Sequence, residues 1–325
     1  MQKRYFLKTI AAGAVLACAA TVATAQTYPS RPLKFIVPFP AGGISDTLAR
    51  SLANHMSKTM GQPVVVENKA GAGGNLGLGA AVQAPPDGYT VVLGATSTVS
   101  VGPYLFKNLS FDARKDLAPV AMVGTIPNVL VINKNVPASN LKELVAWLKA
   151  NPGKVNFASP GSGNSSHLAG EMFKQRVGVD IKHIPYKGDV PAITDLIGGQ
   201  TQMMFATVGT ALAHIQAGNL KPLAIAGPSR STALPQVPTI GEEGIANFDT
   251  DAWFGVFAHA ATPAPPIERL NLAINAALND PEINSKLSGL GLRPVNMTVP
   301  VFTTYVKRES EKWGELVKTS GASLD

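Results

Sequence analysis

The sequence predicts an α/β fold of two lobes, in which each lobe is a mostly parallel sheet flanked by helices. Apolar strands alternate with amphipathic helices in two successive stretches, 33–94 and 120–226, and this alternation is typical of β-α-β units in a parallel sheet. Each stretch contains a glycine-rich loop between an apolar strand and a helix. The segment from residue 253 onward belongs to neither stretch. It is therefore predicted to return to the first lobe, which would then be discontinuous in sequence.

The elements of the first stretch follow from their periodicity. An apolar strand at 33–37 precedes a helix at 45–60, which Ser45 or Asp46 can cap and whose Leu48, Leu52 and Met56 share one face. We expect a strand at 64–67, a glycine-rich turn at 71–79 leading into a helix at 80–84, and a strand at 90–94. The loop at 95–98 leaves the carboxyl end of that strand, where open α/β sheets bind ligands.

The second stretch begins near residue 117. Its predicted strands are 120–123, 129–133, 155–158, 181–184, 202–206 and 220–226, and its predicted helices are 139–148, 166–177, 191–197 and 210–216. A strand at 253–258 and helices at 266–279, 281–288 and 300–318 follow. We therefore predict a first lobe from residues 26–125 and 250–325 and a second lobe from 126–249. Two crossings of the chain between lobes would make a hinge, with a ligand cleft between the lobes.

Residues 1–25 have the pattern of a secretory signal peptide. A basic start containing Lys3 and Arg4 precedes an apolar run at 10–20, and an A-x-A motif ends at Ala25. Cleavage after Ala25 would remove Cys18, the single cysteine, and would exclude disulfides and thiol chemistry. In the alternative, residues 15–18 are a lipobox and the mature chain is a lipoprotein attached through Cys18, although Leu16 fits that motif poorly.

The charge balance argues against a nucleic-acid partner. The chain has 28 Lys and Arg against 21 Asp and Glu. Three of the basic residues lie in the leader, so the remainder holds 25 against 21, a net charge of +4. This weak excess, without a block of basic residues, favours small anionic ligands over nucleic acid. No later apolar run is long enough to span a membrane, so we expect a chain that is not membrane-embedded.

The two glycine-rich loops are the leading candidates for a binding site. A loop that enters a helix exposes unpaired N–H groups at the positive end of the helix dipole, which favours an anion. Neither loop contains Arg or Lys, so both are predicted to hold a ligand through backbone groups. Because there are two such loops, we expect them to hold one anion from two sides. Asp46 would rigidify the first loop. The candidate residues are Phe39, Pro40, Ala41, Gly42 and Gly43 in the first loop and Ser159, Gly161, Ser162, Gly163, Asn164 and Ser165 in the second.

Other patterns in the sequence bear on nucleotide binding, metal binding and hydrolysis. The glycine-rich run at 71–77 fails the dinucleotide spacing because Leu76 stands where the third glycine is needed. The histidines lack metal-ligand spacing, so no metal or cofactor is expected. There is no G-x-S-x-G motif, and an exported serine hydrolase that uses the loop serines stays open as an alternative. His167 could touch a ligand or simply pack. Lys187 or Asp189 would lie at the cleft mouth, where Asp189 would favour a ligand with an amine or hydroxyl, or else in a solvated turn.

Several motifs together resemble one family of receptors. They are PFPAGG at 38–43 followed by Asp46, VVVENKAGAGGN at 64–75, PDGYT at 86–90, SPGSG at 159–163, YKG at 186–188, TDLIGGQ at 194–200 and WFG at 253–255. This combination, which covers essentially the whole chain after the leader, is similar to the Bug-type solute-binding receptors of tripartite tricarboxylate transporters.

The resemblance implies a periplasmic, non-catalytic, type II periplasmic-binding-protein fold, the two-lobe Venus flytrap. It implies that the two loops hold a ligand carboxylate through backbone N–H groups and bridging waters, that Ser97 and Thr98 add contacts, and that a membrane permease is the partner. A freely hinging receptor is expected to be a monomer. The chain departs from the family at two positions. Asp189 replaces a residue that is commonly small, and Thr207 is the polar residue that remains where the family often has an Asp-Asn pair. The identity of the ligand therefore cannot be carried over from the family. An accessory periplasmic sensor is a second alternative.

Overall fold

Two mixed β-sheets form the framework of the protein in the computed structural model, which describes residues 28–320. The predicted signal peptide, its cleavage site and Cys18 lie outside the described residues. The first sheet has six strands in the order β11-β4-β10-β3-β1-β2, and the second has five in the order β7-β6-β8-β5-β9. The strands are β1 (Leu33–Val37), β2 (Val64–Asn68), β3 (Thr90–Ala95), β4 (Leu117–Ile126), β5 (Asn128–Asn133), β6 (Val155–Ser159), β7 (Ile181–Pro185), β8 (Met203–Thr207), β9 (Leu220–Ile225), β10 (Ala252–His259) and β11 (Arg293–Pro294).

Helices cover both sheets, and each lobe consists of one sheet with its flanking helices. The first lobe contains β1–β4, β10 and β11, and the second contains β5–β9. The helices are α1 (Ile44–Met60), α2 (Asn75–Val82), α3 (Gly102–Leu105), α4 (Ala113–Asp116), α5 (Leu141–Ala150), α6 (Ser165–Val177), α7 (Asp189–Ile197), α8 (Val208–Gln216), α9 (Ala264–Asn279), α10 (Pro281–Gly289) and α11 (Val299–Ser320). None of the helices within residues 28–320 is both long and apolar enough to cross a bilayer.

The expectation of mostly parallel sheets needs correction. Strand β1 pairs in parallel with β2 and β3, and β6 pairs in parallel with β7 and β8. In contrast, β10 is antiparallel to β3 and β4, and β5 is antiparallel to β8 and β9. Both β5 and β10 follow directly on a passage from the other lobe, so each enters its sheet without the crossover helix that parallel pairing requires.

The chain passes between the lobes at two adjacent segments. Strand β4 ends at Ile126 and β5 begins at Asn128, while the return path runs from the end of β9 to Ala252. The Asn128 side-chain amide donates to the Thr250 carbonyl at 2.8 Å, and the Thr250 N–H donates to the Ala226 carbonyl at 2.9 Å. Because these segments are hydrogen-bonded to each other, they join the lobes as one paired connection.

The apolar positions of the helices explain the core. In α1, Leu48, Leu52 and Met56 are fully buried against the first sheet, as their four-residue spacing predicts. A separate apolar cluster joins the lobes, because Leu168 of α6 packs with Trp313 of α11 and with Leu105 of α3. Helix α11 therefore belongs to the first lobe but also packs on the second.

Three local predictions were wrong in detail. Helix α2 begins at Asn75 rather than at residue 80, because the glycines at 71, 73 and 74 all have positive φ and complete the turn earlier. Helix α5 begins at Leu141 rather than at residue 139, because Asn140 is its N-cap and accepts the Glu143 N–H through its side-chain oxygen at 2.9 Å. The predicted loop at 95–98 is instead the start of a π-helical turn, Thr96–Val101.

Candidate ligand-binding site

A cavity of about 510 Å³ lies between the lobes, beside the carboxyl ends of β1, β3, β6 and β8. Its volume suits a small organic molecule, and its position is the one where α/β sheets bind ligands. Its lining residues from the first lobe and the connection are Phe39, Gly42, Gly43, Ile44, Ser45, Thr47, Ala95, Thr96, Ser97, Ile126, Ala252, Trp253, Phe254, Gly289 and Leu290, and those from the second lobe are Pro160, Asn164, Ser165, Ser166, Asp189, Thr207, Gly209 and Thr210.

Four α-helices begin at this cavity, namely α1, α6, α7 and α8. The N–H groups of a helix's first turn have no partner within the helix. Gly43 at the start of α1 and Thr207 at the start of α8 make no side-chain capping bond, and Asn164 at the start of α6 accepts only the His167 N–H, at 2.9 Å. The cavity wall therefore carries open donors and the positive ends of helix dipoles, which together favour an anion.

The first glycine-rich loop is held by Asp46. The Gly42 N–H donates to the Asp46 carboxylate at 3.0 Å, as do the Asn68 amide and the Arg50 guanidinium at the same distance. The hydrogen bond from Arg50, followed by the one from Gly42, lowers the pKa of Asp46 to about 2 despite its burial. Neither Ser45 nor Asp46 is the N-cap of α1, since that position belongs to Gly43. Asp46 fixes the loop and does not line the cavity.

The second glycine-rich loop is held by two histidines beneath it. The Ser159 hydroxyl lies 2.6 Å from Nε2 of His183, and the Gly161 N–H donates to Oγ of Ser159 at 3.2 Å. The Gly163 N–H donates to Nδ1 of His167 at 3.1 Å, so the proton of this neutral imidazole is on Nε2. The two imidazole rings stack with their centroids 3.9 Å apart. These bonds occupy the N–H groups of Gly161 and Gly163.

Burial keeps both imidazoles uncharged. Desolvation, with a smaller contribution from the charge of Lys174, lowers the pKa of His167 to about 4. Desolvation and the neighbouring His167 lower the pKa of His183 to about 3. Ser159 therefore has a neutral imidazole as a neighbour, which the sequence did not reveal, and its hydroxyl donates to the Gly161 carbonyl at 2.9 Å. Its side chain is nevertheless fully buried and does not line the cavity, so its position suits support of the loop rather than attack on a substrate.

The structure divides the predicted site residues into two groups. Those that line the cavity are Phe39, Gly42, Gly43, Ser97, Asn164, Ser165, Asp189 and Thr207. The others do not line it, and their contact with a ligand stays a prediction. Among them, Thr98 accepts the Ala95 N–H through its hydroxyl at 3.0 Å, and His167 and Ser159 support the second loop. The complete second group is Pro40, Ala41, Asp46, Thr98, Ser159, Gly161, Ser162, Gly163, His167 and Lys187.

Fifteen lining residues were missed from the sequence, and five of them carry hydroxyl groups, namely Ser45, Thr47, Thr96, Ser166 and Thr210. Oγ of Ser166 is buried without a hydrogen-bond partner, and the hydroxyls of Thr207 and Thr210 lie 2.6 Å apart at the start of α8. Thr207, Gly209 and Thr210 follow an apolar strand and open a helix, as the two glycine-rich loops do. That repeated pattern was a signal for a third donor loop.

Asp189 is the exception on this cavity wall. It is the first residue of α7 and carries the one charged side chain among the described residues that line the cavity. Its Oδ1 is buried without a hydrogen-bond partner, and desolvation raises the pKa of its carboxyl group. The donors around the cavity therefore face a single carboxylate.

Comparisons with known proteins agree with this geometry. Residues 48–322 match the family described as the tripartite tricarboxylate transporter family receptor. The chain is similar to protein BugT of Bordetella pertussis, with 41% identity over 302 residues that cover 93% of each chain. Among solved structures, it is similar to Rpa4515 of R. palustris with adipate, at 30% identity and a TM-score of 0.82 over 91% of this chain and 100% of that one.

A second solved relative is MatC from Rhodopseudomonas palustris with bound malate. It shares 33% identity and a TM-score of 0.77 over 89% of this chain and all of the other. Relatives of this kind have the two-lobe fold of periplasmic binding proteins, as this chain does. Since the family match covers most of the chain and protein BugT is 41% identical over 93% of it, this protein belongs to the receptor family of the tripartite tricarboxylate transporters.

Proposed function

We propose that this protein captures a small organic carboxylate in the periplasm and delivers it to the membrane permease of a tripartite tricarboxylate-type transporter. The observation that carries the proposal is that four α-helices, α1, α6, α7 and α8, begin at a cavity with no Lys, Arg or His among its described lining residues. Backbone donors at helix ends suit a carboxylate. The adipate and malate in the solved relatives support the same ligand class.

The energies are sufficient for a receptor. A hydrogen bond to a charged group contributes about 1.5–3 kcal/mol net, and micromolar affinity corresponds to about 8 kcal/mol. A few such bonds from the first turns of α1, α6 and α8 would reach that value. Closure of the predicted lobes, 26–125 with 250–325 against 126–249, would exclude water and strengthen each bond.

The site residues that we propose for direct contact are those on the cavity wall. The carboxylate would accept N–H groups from Ile44 and Ser45 at the start of α1 and from Ser165 and Ser166 at the start of α6. Pro160 and the exposed tips of both loops would border the entrance. Export with cleavage after Ala25, a monomeric state and the absence of catalysis belong to the same proposal, with lipid attachment through Cys18 as the alternative to free export.

A thermal-shift measurement on refolded, ligand-free protein tests the proposal. Refolding removes ligand carried through purification. Mono-, di- and tricarboxylates, amino acids and aromatic acids are each titrated, and we expect a saturable rise in Tm for one chemical class. A ligand at 100 times its Kd stabilises the folded state by about 2.7 kcal/mol, which is several degrees for a chain of this size. Esters and amides are added as controls for turnover.

Either of two results would contradict this function. No change in Tm with any carboxylate would show that the open donors do not serve this ligand class. Hydrolysis of an ester or amide that disappears in a Ser159→Ala variant would instead assign a catalytic role to the Ser159–His183 pair.

A further inference from the structure

The carboxylate of Asp189 has no partner within the described part of the chain. It makes no hydrogen bond or ion pair there, and burial is the one cause that shifts its pKa. The other described residues that line the cavity carry no charged side chain, and their polar members include Asn164, Ser166 and Thr207. A buried charge without a partner is costly, and such groups in native proteins call for an explanation.

The position of Asp189 at a helix start opposes the rise in the pKa of its carboxyl group that burial causes. It is the first residue of α7, where the helix dipole stabilises a negative charge. A carboxylate is purely an acceptor, so the group that completes its hydrogen bonds must be a donor brought by the ligand. A second ligand carboxylate at the same point would meet a like charge in a site of low dielectric constant, where repulsion is strong.

We propose that the ligand is a carboxylate that also carries an ammonium group, which is seated on Asp189 while the carboxylate occupies the helix N-termini. The inference rests on the proposed carboxylate-binding function and narrows its ligand to amino acids and related zwitterions. The cavity then has complementary groups, with donors from the starts of α1, α6 and α8 for the carboxylate and the single acidic side chain among its described lining residues for the ammonium group. Asp189 acts as a specificity-determining residue, because it distinguishes between acids that share the same donor loops.

Matched pairs of acids test this assignment by isothermal titration calorimetry. The pairs are glutamate with glutarate, aspartate with succinate, and 5-aminopentanoate with pentanoate, whose members differ by an ammonium group. For the wild type, we expect the ammonium-bearing acid of at least one pair to bind at least tenfold more tightly than its partner. In an Asp189→Asn variant, that preference should fall at least tenfold, while the partner acid binds as well as before or better.

An Asp180→Asn variant is the control. Asp180 is exposed, lies in the second lobe and is not a cavity residue, so the substitution makes the same change in net charge away from the site. It should keep the wild-type preference. Melting curves of all three proteins, which should coincide in shape, check that each variant is folded.

The outcomes separate this inference from the function on which it rests. If carboxylates bind but no pair favours its ammonium member, or if Asp189→Asn keeps the preference, the zwitterion assignment is wrong while the carboxylate receptor stands. If no acid in any pair and no other carboxylate binds, the proposed function fails and the inference fails with it.

Discussion

At the scale of single residues, Asp46 shows how a side chain outside the cavity can shape it. Its carboxylate accepts hydrogen bonds from the Gly42 N–H, the Asn68 amide and Arg50. The Asn68 amide also donates to the Phe39 carbonyl at 3.1 Å, so one acid and one amide hold both ends of the loop. The loop is therefore fixed before a ligand arrives, which reduces the ordering cost of binding.

A comparison of Asp46→Ala with Arg50→Ala separates the support that Asp46 gives to the loop from its ion pair with Arg50. We expect Asp46→Ala to lower the free energy of unfolding by about 2–3 kcal/mol, because it leaves the Gly42 N–H, the Asn68 amide and the Arg50 guanidinium without their shared acceptor. Arg50→Ala should cost about 1 kcal/mol or less, because half of the Arg50 side chain is exposed. Urea denaturation of both variants measures the difference. Equal losses would show that the ion pair with Arg50, and not the loop, accounts for the effect of Asp46.

The sequence could predict these residues but not all of their roles. Gly42 was recognised as part of a donor loop, yet its own N–H is occupied by Asp46, because α1 begins at Ile44 and brings the carboxylate back over the loop. The N–H groups that we propose as open donors are instead those of Ile44 and Ser45, at the start of α1. The partner of Ser159 also escaped prediction, since His183 is 24 residues away and is brought close by the parallel pairing of β6 and β7.

At the scale of elements, the second glycine-rich loop depends on the stacked pair of His167 and His183. Both lie below the loop, and His167 accepts the Gly163 N–H through a nitrogen that must be unprotonated. The charged groups that face the pair are Glu171, with one oxygen 4.0 Å from Nε2 of His167, and Lys174 beyond it. Protonation of either ring would place a positive charge in a desolvated stack and break the bond to the loop.

The folded state should therefore lose stability in mild acid. The folded pKa values, about 4 for His167 and about 3 for His183, lie below the unfolded value of about 6.5. As pH falls below 6.5, the unfolded chain binds protons that the folded chain rejects. Unfolding then becomes easier by about 1.4 kcal/mol per pH unit for each histidine down to about pH 4. Melting curves between pH 7.5 and 4.5 measure this slope.

Two variants decide whether the pair is responsible. His183→Gln supplies a neutral hydrogen-bonding group and should flatten the slope, while His214→Gln, in helix α8, should leave it unchanged. A slope that is the same in the wild type and His183→Gln would assign the acid sensitivity to other groups.

The elements themselves were largely predictable because their periodicity is local, whereas strand direction was not. Continuous apolar runs in β5 and β10 identify strands, but such runs occur in both parallel and antiparallel pairing. Direction depends on where the chain enters the sheet, and both strands enter from the other lobe. The start of α2 was missed for a related reason, since Gly73 and Gly74 close their turn with positive φ and free Asn75 to begin the helix.

At the scale of the whole molecule, the lobes meet on both sides of the cavity. The second glycine-rich loop approaches α3, so that a Cβ added to Gly163 would strike the Leu105 side chain. On the other side, the start of α8 approaches the end of α10, so that a Cβ added to Gly209 would strike the Leu290 carbonyl oxygen. A backbone carbonyl has less freedom to move aside than a side chain, so the second contact sets how closely the lobes can approach.

Gly209→Ala tests whether this approach matters for binding. Gly209 lies in the first turn of α8 and does not have a positive φ, so alanine adds no backbone strain and should stabilise the helix by up to about 1 kcal/mol. We expect the ligand-free Tm to stay the same or rise. Binding of the acid identified by thermal shift should weaken by about tenfold or more, because the new methyl group holds the lobes apart.

Gly241→Ala is the matched control, since its added Cβ would meet only the Thr239 hydroxyl at an ordinary 3.6 Å. Small-angle scattering with saturating ligand should show a larger radius of gyration for Gly209→Ala than for the wild type or the control. Unchanged affinity and an unchanged radius would mean that the two lobes do not need this close contact to hold a ligand. Weaker affinity at an unchanged radius would mean that the methyl group acts on the cavity wall, where Gly209 also lies. The contact between Gly209 and Leu290 would then not limit the closure of the lobes.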